Sequence, residues 1–285
     1  MKDNPLRKLG ALGQSIWLDY IRHDLIVSGE LRRLIEEDGL RGMTSNPSIF
    51  ENAIAGSHDY DEDIRAMVIE GRDVMAIYEA LSQRDVQSAA DEFRPVYDKT
   101  GGRDGYVSLE VNPHLAHDTR GTVDEARRLW DALNRPNVLI KVPATAEGLP
   151  AIQQLISEGI NVNVTLLFGI PRYRQVAEAY LAGIEARAAQ AKSVERVASV
   201  ASFFVSRIDA LVDTLLDKLI AAGVRMRTWR ESCAGRLPSP AQRQPTRSTE
   251  RYSTAFGSGN WLRKVLGPSG CSGPAPARRT RSTAM

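Results

Sequence analysis

The sequence predicts an α/β fold, a TIM (β/α)8-type barrel of which six βα units are recognisable. Strand-like and helix-like segments alternate six times within the first 223 residues, joined by short links. This alternation is typical of a parallel sheet with crossover helices, in a doubly wound sheet or in a barrel. A polar residue lies near the C-terminal end of every predicted strand. In a barrel those ends converge on one mouth, which favours the barrel.

Each predicted strand is short, and several of the helices have a recognisable start or stop. Thr122, with Glu125 three residues later, reads as a capping box, and Gly39 as a helix end. Between the second and third strands, helices are predicted over Ser48–Ala55, Asp59–Glu70 and Asp73–Asp98, the last in two pieces. The strand segments are Ser15–Tyr20, Gly42–Pro47 with its turn, Gly105–Val111, Asn137–Thr145, Ile160–Leu166 and Arg196–Val205. The following helices are predicted over Ser28–Asp38, Thr122–Leu133, Glu147–Glu158, Pro171–Ala191 and Arg207–Ala222.

Composition indicates an ordinary globular protein rather than a membrane or secreted one. Of the 285 residues, 42% are hydrophobic and 25% are charged. There is no run of 18 apolar residues, and the first residues lack the apolar core of a signal peptide. Two cysteines, Cys233 and Cys271, provide no disulfide framework. We therefore expect a cytoplasmic protein without membrane association.

The charge is divided unequally along the chain, although the net charge is only +2. Residues 224–285 contain twelve Arg or Lys against two Glu, which gives a net charge of +10. Residues 1–223 therefore carry a net charge of −8. We predict two regions, an incomplete barrel over 1–223 and a basic tail of low order over 224–285.

One lysine interrupts the most apolar of the predicted strands. Lys141 follows Val138, Leu139 and Ile140, and Pro143 comes two residues later. A run of this kind is typical of a strand buried on both faces. Burial disfavours the ammonium form of a lysine, and a neutral amine is the nucleophile that forms a Schiff base. The alternative is a lysine at a strand end whose ammonium reaches solvent or a carboxylate.

The other polar strand ends supply the groups that such a nucleophile needs. Imine formation requires a proton carrier, cleavage of a carbon–carbon bond requires a base, and a polyhydroxylated substrate requires hydrogen-bond partners. Four of these residues also have a structural alternative: Asp19 as a helix cap, Asn46 as the start of a turn, Asn163 as a partner of loop backbone, and Glu110 as a surface acid. Their joint occurrence at successive strand ends favours a single site. The candidates are Asp19, Thr44, Asn46, Glu110, Lys141, Asn163, Thr165 and Ser202.

Six segments in this order resemble the transaldolase family, in the branch found in actinobacteria and cyanobacteria. They are Gly13–Asp19, Gly42–Phe50, Val107–Val111, Leu139–Thr145, Gly159–Phe168 and Ala201–Asp209. The resemblance spans roughly residues 4 to 223. It implies a (β/α)8 barrel and Schiff-base transfer of a dihydroxyacetone unit between sedoheptulose 7-phosphate and glyceraldehyde 3-phosphate, in the non-oxidative pentose phosphate pathway.

The resemblance also implies a role for each matching residue. Lys141 forms the imine, Asp19 takes the C4 hydroxyl proton, and Glu110 shuttles protons through a water held with Thr165. The implied substrate contacts are Thr44, Asn46, Asn163, Ser202, Phe204 and Arg207, the last of these to phosphate. No metal and no cofactor are implied, because the protonated imine is the electron sink. The implied partners are sugar phosphates, and the chain is expected to be a monomer or homodimer.

The tail departs from this family. Two further βα units are expected after Gly223, with a Trp-Ala-Ser-Thr-Gly-Thr-Lys-Asn-Pro segment that is absent. Codons can be chosen for Pro268–Arg281 that, read one base earlier, encode that segment. We therefore predict that the last two units are missing or scrambled because most of the tail is translated out of frame. A protein with the sequence as it stands is expected to have impaired activity.

Three other functions remain as alternatives. A related fructose 6-phosphate aldolase-like lyase would cleave the same sugar without an acceptor. An inactive truncated barrel would serve only partner binding. The basic tail would suit a nucleic-acid arm, but it lacks aromatic residues interleaved for base stacking, so nucleic acid is not an expected partner.

Overall fold

The computed structural model describes residues 4–222, and residues 1–3 and 223–285 lie outside this description. Its centre is a curled sheet of six parallel strands arranged in chain order. A doubly wound sheet would reverse its order at a switch point, so this order confirms the barrel-type arrangement of six βα units. The prediction that the last two units are missing or scrambled falls outside the described residues. The strands are β1 (Ile16–Asp19), β2 (Leu40–Thr44), β3 (Tyr106–Glu110), β4 (Val138–Pro143), β5 (Val162–Leu167) and β6 (Ser199–Phe203).

Helices connect each strand to the next. None of those between residues 4 and 222 is long and apolar enough to cross a membrane. They are α1 (Pro5–Ala11), α2 (His23–Val27), α3 (Glu30–Arg33), α4 (Pro47–Ala55), α5 (Asp61–Ile69), α6 (Val74–Thr100), α7 (Thr119–Leu133), α8 (Gly148–Glu158), α9 (Ile170–Ala189) and α10 (Val205–Ala221). A π-helical turn (Leu34–Asp38) follows α3, and a 3₁₀ turn (Pro113–Leu115) precedes α7.

Two local predictions are wrong. The capping box at Thr122 does not form, because α7 begins three residues earlier and Asp118 caps it by accepting from the Gly121 amide at 2.9 Å. Thr122 is buried and donates instead to the Leu115 carbonyl oxygen. The helix expected in two pieces is the single helix α6, which contains Pro95. Buried residues Phe93 and Val96 flank this proline, so packing offsets the hydrogen bond that proline removes.

The two faces of the sheet have different chemistry because side chains alternate along each strand. The outer face packs against the crossover helices in the main core, through Val107, Ile140, Val142 and Val164 among others. At the N-terminal end of the strands, Trp17 packs on the inner face with the cluster of Tyr97, Tyr106 and Leu139. Gly42 admits the Trp17 indole, since a Cβ at this position would lie 2.4 Å from the ring. Polar residues occupy the inner face beyond this apolar layer.

Helix α10 is packed less closely than helices α6, α7, α8 and α9, each of which contributes buried residues. It contributes no buried side chain to the part of the fold that residues 4–222 form. Apolar side chains along it are exposed, with Leu211 62% and Leu215 50% accessible. The sixth unit is therefore the least enclosed, and it follows the strand that carries Ser202.

Candidate active site

The predicted site residues lie on neighbouring strands of the inner face. In the strand register Asp19 is opposite Thr44, Glu110 is opposite Lys141, and Lys141 is opposite Asn163. Partners in a parallel register point to the same side of the sheet. The curl of the sheet therefore brings the candidate nucleophile, both candidate acids and the amide side chain to one concave surface.

Lys141 is buried at the centre of this surface. Its side chain is only 5% exposed, and every residue of β4 is buried. The amine donates to the backbone oxygen of Ser45 at 3.0 Å and lies 3.5 Å from Oε2 of Glu110. The alternative that this ammonium reaches solvent is therefore excluded, whereas contact with a carboxylate is observed.

The Glu110 carboxyl group is held in an environment that favours its protonated form. Burial raises the pKa of Glu110 above its ordinary value, the charge of Lys141 opposes this rise, and the charge of Asp19 adds to it. The interaction with Asp19 places the strand end of β1 in the same electrostatic site. Tyr78, on α6, is close enough for the Glu110 charge to contribute, after burial, to raising the Tyr78 pKa to about 12.

A chain of hydrogen bonds fixes the amide group of Asn163. Ser202 Oγ donates to Asn163 Oδ1 at 2.8 Å, and Asn163 Nδ2 donates to Ser108 Oγ at 2.9 Å. Asn163 is 1% exposed, so both ends of its amide are paired inside the protein. The amide oxygen therefore faces Ser202 and the amide nitrogen faces Ser108. The structural alternative, in which Asn163 binds loop backbone, is not observed, because both of these bonds are to side chains.

Asn46 and Thr44 lie where β2 leads into α4. The structural alternative for Asn46 is partly realised, because its Oδ1 caps α4 by accepting from the Ile49 amide at 2.9 Å. The cap does not use Nδ2 of this side chain. The Thr44 hydroxyl oxygen is buried and has no hydrogen-bond partner among the described residues. A buried hydroxyl of this kind requires a partner, which a water or a ligand hydroxyl can supply.

The ends of β1 and β5 complete the inner surface. Asp19 is the exposed last residue of β1, and it does not cap α2, whose N-cap is Arg22. Thr165 is 2% exposed and lies near the end of β5. The next residue, Leu166, has a left-handed backbone with φ of 59°, where the pairing of β5 with β6 is irregular. Such a conformation is uncommon for leucine, and the irregularity reorients the chain immediately after Thr165.

Phe204 and Arg207 lie beyond β6 at the start of α10. The Arg207 guanidinium carbon is 4.4 Å from the centroid of the Phe204 ring, a cation–π geometry. Phe168, which follows β5, stacks on Phe204 with the two ring centroids 5.3 Å apart. Arg207 is exposed, as a contact to an incoming anion requires.

Sequence reasoning missed four residues that border this site. Ser108 was detectable, since it lies two residues before Glu110 and therefore on the same face of β3. Phe168 and Tyr78 gave no specific signal, because aromatic residues at those positions are equally typical of a core. Ser45 contacts Lys141 through a backbone atom, which no residue pattern reveals.

The part of the chain that the structure describes contains no group of three or more His, Cys, Asp or Glu that could hold a metal ion. The groups on the inner face are an amine, carboxyls, hydroxyls and amides. They can exchange protons and bind hydroxyl groups without further components. The arrangement suits covalent catalysis through an amine that has a carboxyl group beside it.

A protein-family model supplies the decisive comparison. The model for transaldolase/fructose-6-phosphate aldolase matches residues 16–247, which is most of the chain and includes all six strands. The chain belongs to this family. The match extends 24 residues past Gly223, so similarity to the transaldolase/fructose-6-phosphate aldolase family does not end abruptly at that residue.

Curated relatives agree with this membership. A transaldolase from Trichodesmium erythraeum is 51% identical over 218 residues, which cover 76% of this chain and 57% of the relative. Transaldolase 2 from a Nostoc species is 50% identical over 224 residues, or 79% and 59% of the two chains. A transaldolase from Frankia alni is 43% identical over 281 residues, or 98% and 72%. The chain thus spans less than two thirds of the first two of these relatives.

Proposed function

We propose that this chain carries out transaldolase chemistry. In this reaction a dihydroxyacetone unit passes from sedoheptulose 7-phosphate to glyceraldehyde 3-phosphate, through a Schiff base, and leaves erythrose 4-phosphate and fructose 6-phosphate. The single observation that carries the proposal is the buried Lys141 amine 3.5 Å from Glu110. Family membership and the names of the curated relatives support it.

The covalent steps are assigned to two side chains. Lys141 attacks the ketose carbonyl, and loss of water from the carbinolamine leaves a protonated imine. Glu110 delivers and recovers the protons, with a water held by Thr165. The raised pKa of Glu110 supports this role, because a carboxyl group that titrates closer to neutral pH exchanges protons more readily in both directions.

Cleavage and retention of the substrate are assigned to the remaining strand ends. Asp19 accepts the C4 hydroxyl proton as the C3–C4 bond breaks, and its exposed position leaves its carboxylate accessible. Asn163 and Ser202 bind the hydroxyls of the three-carbon unit, and Thr44 and Asn46 do so from the opposite side. Arg207 pairs with the sugar phosphate, with Phe204 as the pocket wall beneath it.

The proposal also includes the pathway, the cellular compartment and the oligomeric state. The substrates are sugar phosphates of the non-oxidative pentose phosphate pathway, and the protein acts in the cytoplasm as a monomer or homodimer. Neither a metal nor an organic cofactor enters the mechanism, because the iminium nitrogen accepts the electrons released on cleavage.

Acceptor dependence tests this function against the lyase alternative. The chain is incubated with fructose 6-phosphate, with and without erythrose 4-phosphate, and glyceraldehyde 3-phosphate release is followed with time. We expect release beyond one equivalent only when the acceptor is present, and none with Lys141→Met. Sustained release without an acceptor would instead establish the lyase. Absence of release under both conditions would favour the third hypothesis, an inactive truncated barrel.

A further inference from the structure

Ser45 joins two strand ends and the candidate nucleophile, although neither its position nor its type suggested a role. It lies between Thr44, the last residue of β2, and Asn46, and it is fully buried. Its hydroxyl donates to the Ser108 backbone oxygen at 2.7 Å. Its own backbone oxygen accepts from Lys141 Nζ at 3.0 Å. One residue therefore contacts β3 with its side chain and β4 with its backbone.

The hydroxyl of Ser45 extends strand pairing past the point where it otherwise ends. The register of β2 with β3 comprises only Gly42 with Tyr106 and Met43 with Val107. Beyond it, the bond from Ser45 to Ser108 holds the end of β2 against β3. Ser108 is two residues before Glu110 on the same face of its strand. The bond therefore fixes the backbone oxygen that binds Lys141 relative to the carboxyl that Lys141 approaches.

We propose that Ser45 is a positioning residue that orients the Lys141 amine for attack, an inference that rests on the proposed function. A neutral amine has two N–H bonds and one lone pair. When one N–H bond points at the Ser45 oxygen, rotation about the terminal C–N bond is restricted. The lone pair is then held in one direction on the inner face, rather than sampling several.

The Ser45 oxygen can keep its hydrogen bond through the whole covalent sequence. The nitrogen lone pair forms the new C–N bond, the carbonyl π electrons move to oxygen, and one nitrogen proton transfers to that oxygen. The carbinolamine then takes a proton from Glu110 and loses water, leaving an iminium that retains one N–H. That remaining N–H is the one that Ser45 accepts, so the imine forms without breaking the contact.

Burst kinetics of imine formation test the proposal. The chain is mixed with saturating fructose 6-phosphate, quenched with borohydride at increasing times, and the adduct at Lys141 is measured by peptide mass. For Ser45→Ala we expect adduct to appear about three- to tenfold more slowly, since a net hydrogen bond is lost. Ser45→Cys, whose thiol is somewhat larger and donates weakly, should give a rate between those of the unsubstituted chain and Ser45→Ala.

Ser199→Ala is the matched control. Ser199 is also a buried serine whose hydroxyl bonds a neighbouring strand, donating to the Val162 oxygen at 2.9 Å, but it lies at the opposite end of the sheet. We expect it to lower the melting temperature as Ser45→Ala does, with an unchanged rate of adduct formation. If Ser45→Ala does not fold, the comparison of Ser45→Cys with the unsubstituted chain decides.

The outcomes separate the two proposals. An unchanged rate of adduct formation in Ser45→Ala and Ser45→Cys, with only stability affected, would give Ser45 a purely structural role and overturn the inference while leaving the function intact. A chain that forms no adduct at Lys141 without any substitution would overturn the proposed function, and the inference with it.

Discussion

The protonation of Glu110 is subject to two opposing effects, burial and the charge of Lys141. Burial favours the neutral form of a carboxyl group, whereas the neighbouring amine favours its charged form when the amine is protonated. For Glu110 burial is the larger effect, and its pKa is raised. At 3.5 Å the two groups form an ion pair, and a shorter approach or a shared water would be needed for a proton to pass between them. The proposed nucleophile and the proposed proton carrier therefore lie at paired positions of adjacent strands.

Removing the amine should raise the pKa of Glu110 further. In Lys141→Met the favourable charge is lost while burial remains, so a smaller fraction of Glu110 is ionised at any given pH. The titration is followed by carbon-13 NMR of labelled glutamate side chains, with the Glu110 signal assigned by its loss in Glu110→Gln. A Glu110 pKa that falls in Lys141→Met would contradict this account of the site.

At the scale of single elements, Asn46 in the turn from β2 into α4 has an observed structural role and a proposed role in substrate binding. Asn46 caps α4 with Oδ1, so its amide nitrogen alone remains for a ligand. The sequence predicted a polar residue at a strand end but left its use open between turn and site. The cap engages Oδ1, and the proposed substrate contact would engage Nδ2. Substitutions can therefore separate them.

Asn46→Asp should keep the helix and lose the ligand contact. Aspartate preserves the capping oxygen and adds a charge that suits a helix N-terminus, so the unfolding free energy should change little. Asn46→Ala removes the cap and should cost about 1 kcal/mol. Both should weaken sugar binding, measured by the concentration of fructose 6-phosphate that half-saturates adduct formation. Equal loss of stability in the two variants would refute the capping role.

Gly42 provides a test of the apolar layer beneath the polar one. A Cβ at this position would lie 2.4 Å from Trp17, so Gly42→Ala should displace the indole and destabilise the chain by about 1–3 kcal/mol in chemical unfolding. Gly10→Ala, in α1, meets no atom within 4 Å and should be neutral or stabilising by up to about 1 kcal/mol. A Gly42→Ala chain as stable as its control would mean that Trp17 does not fill the inner face.

Most of the strands and helices could be predicted from the sequence. The alternation of strand-like and helix-like segments predicted all six strands, and the pattern was strongest at β4, which is buried on both faces. The start of α7 was misplaced because both Asp118 and Thr122 are good caps, and packing decided between them. The left-handed Leu166 and the backbone oxygen of Ser45 were not predictable, since both depend on backbone geometry that residue type does not specify.

At the scale of the whole molecule, the question is how the inner surface is enclosed. Six βα units carry every residue of the proposed site, yet α10 buries no side chain within residues 4–222. The chain also spans only 57% and 59% of two curated relatives, and identity is 43% where a match extends over 281 residues. The frameshift in the tail remains a prediction.

A frame-corrected chain should be the better enzyme. Shifting the reading frame to restore the expected segment after Gly223 should increase both transfer activity and soluble yield, because two further units would cover α10 and both sheet edges. Specific activity of the two chains is compared at equal concentration of folded protein, with resequencing of the gene as a companion. Equal activity and yield would show that residues 224–285, as they stand, are sufficient for an active and soluble protein.

The most direct test of the central claim is to find which lysine carries the substrate. The chain is reduced with borohydride in the presence of fructose 6-phosphate and no acceptor, digested, and mapped by mass spectrometry. We predict a three-carbon adduct on Lys141 alone, with exposed lysines such as Lys99 unmodified. An adduct on another lysine, or no adduct at all, would contradict the assignment of Lys141 as the nucleophile.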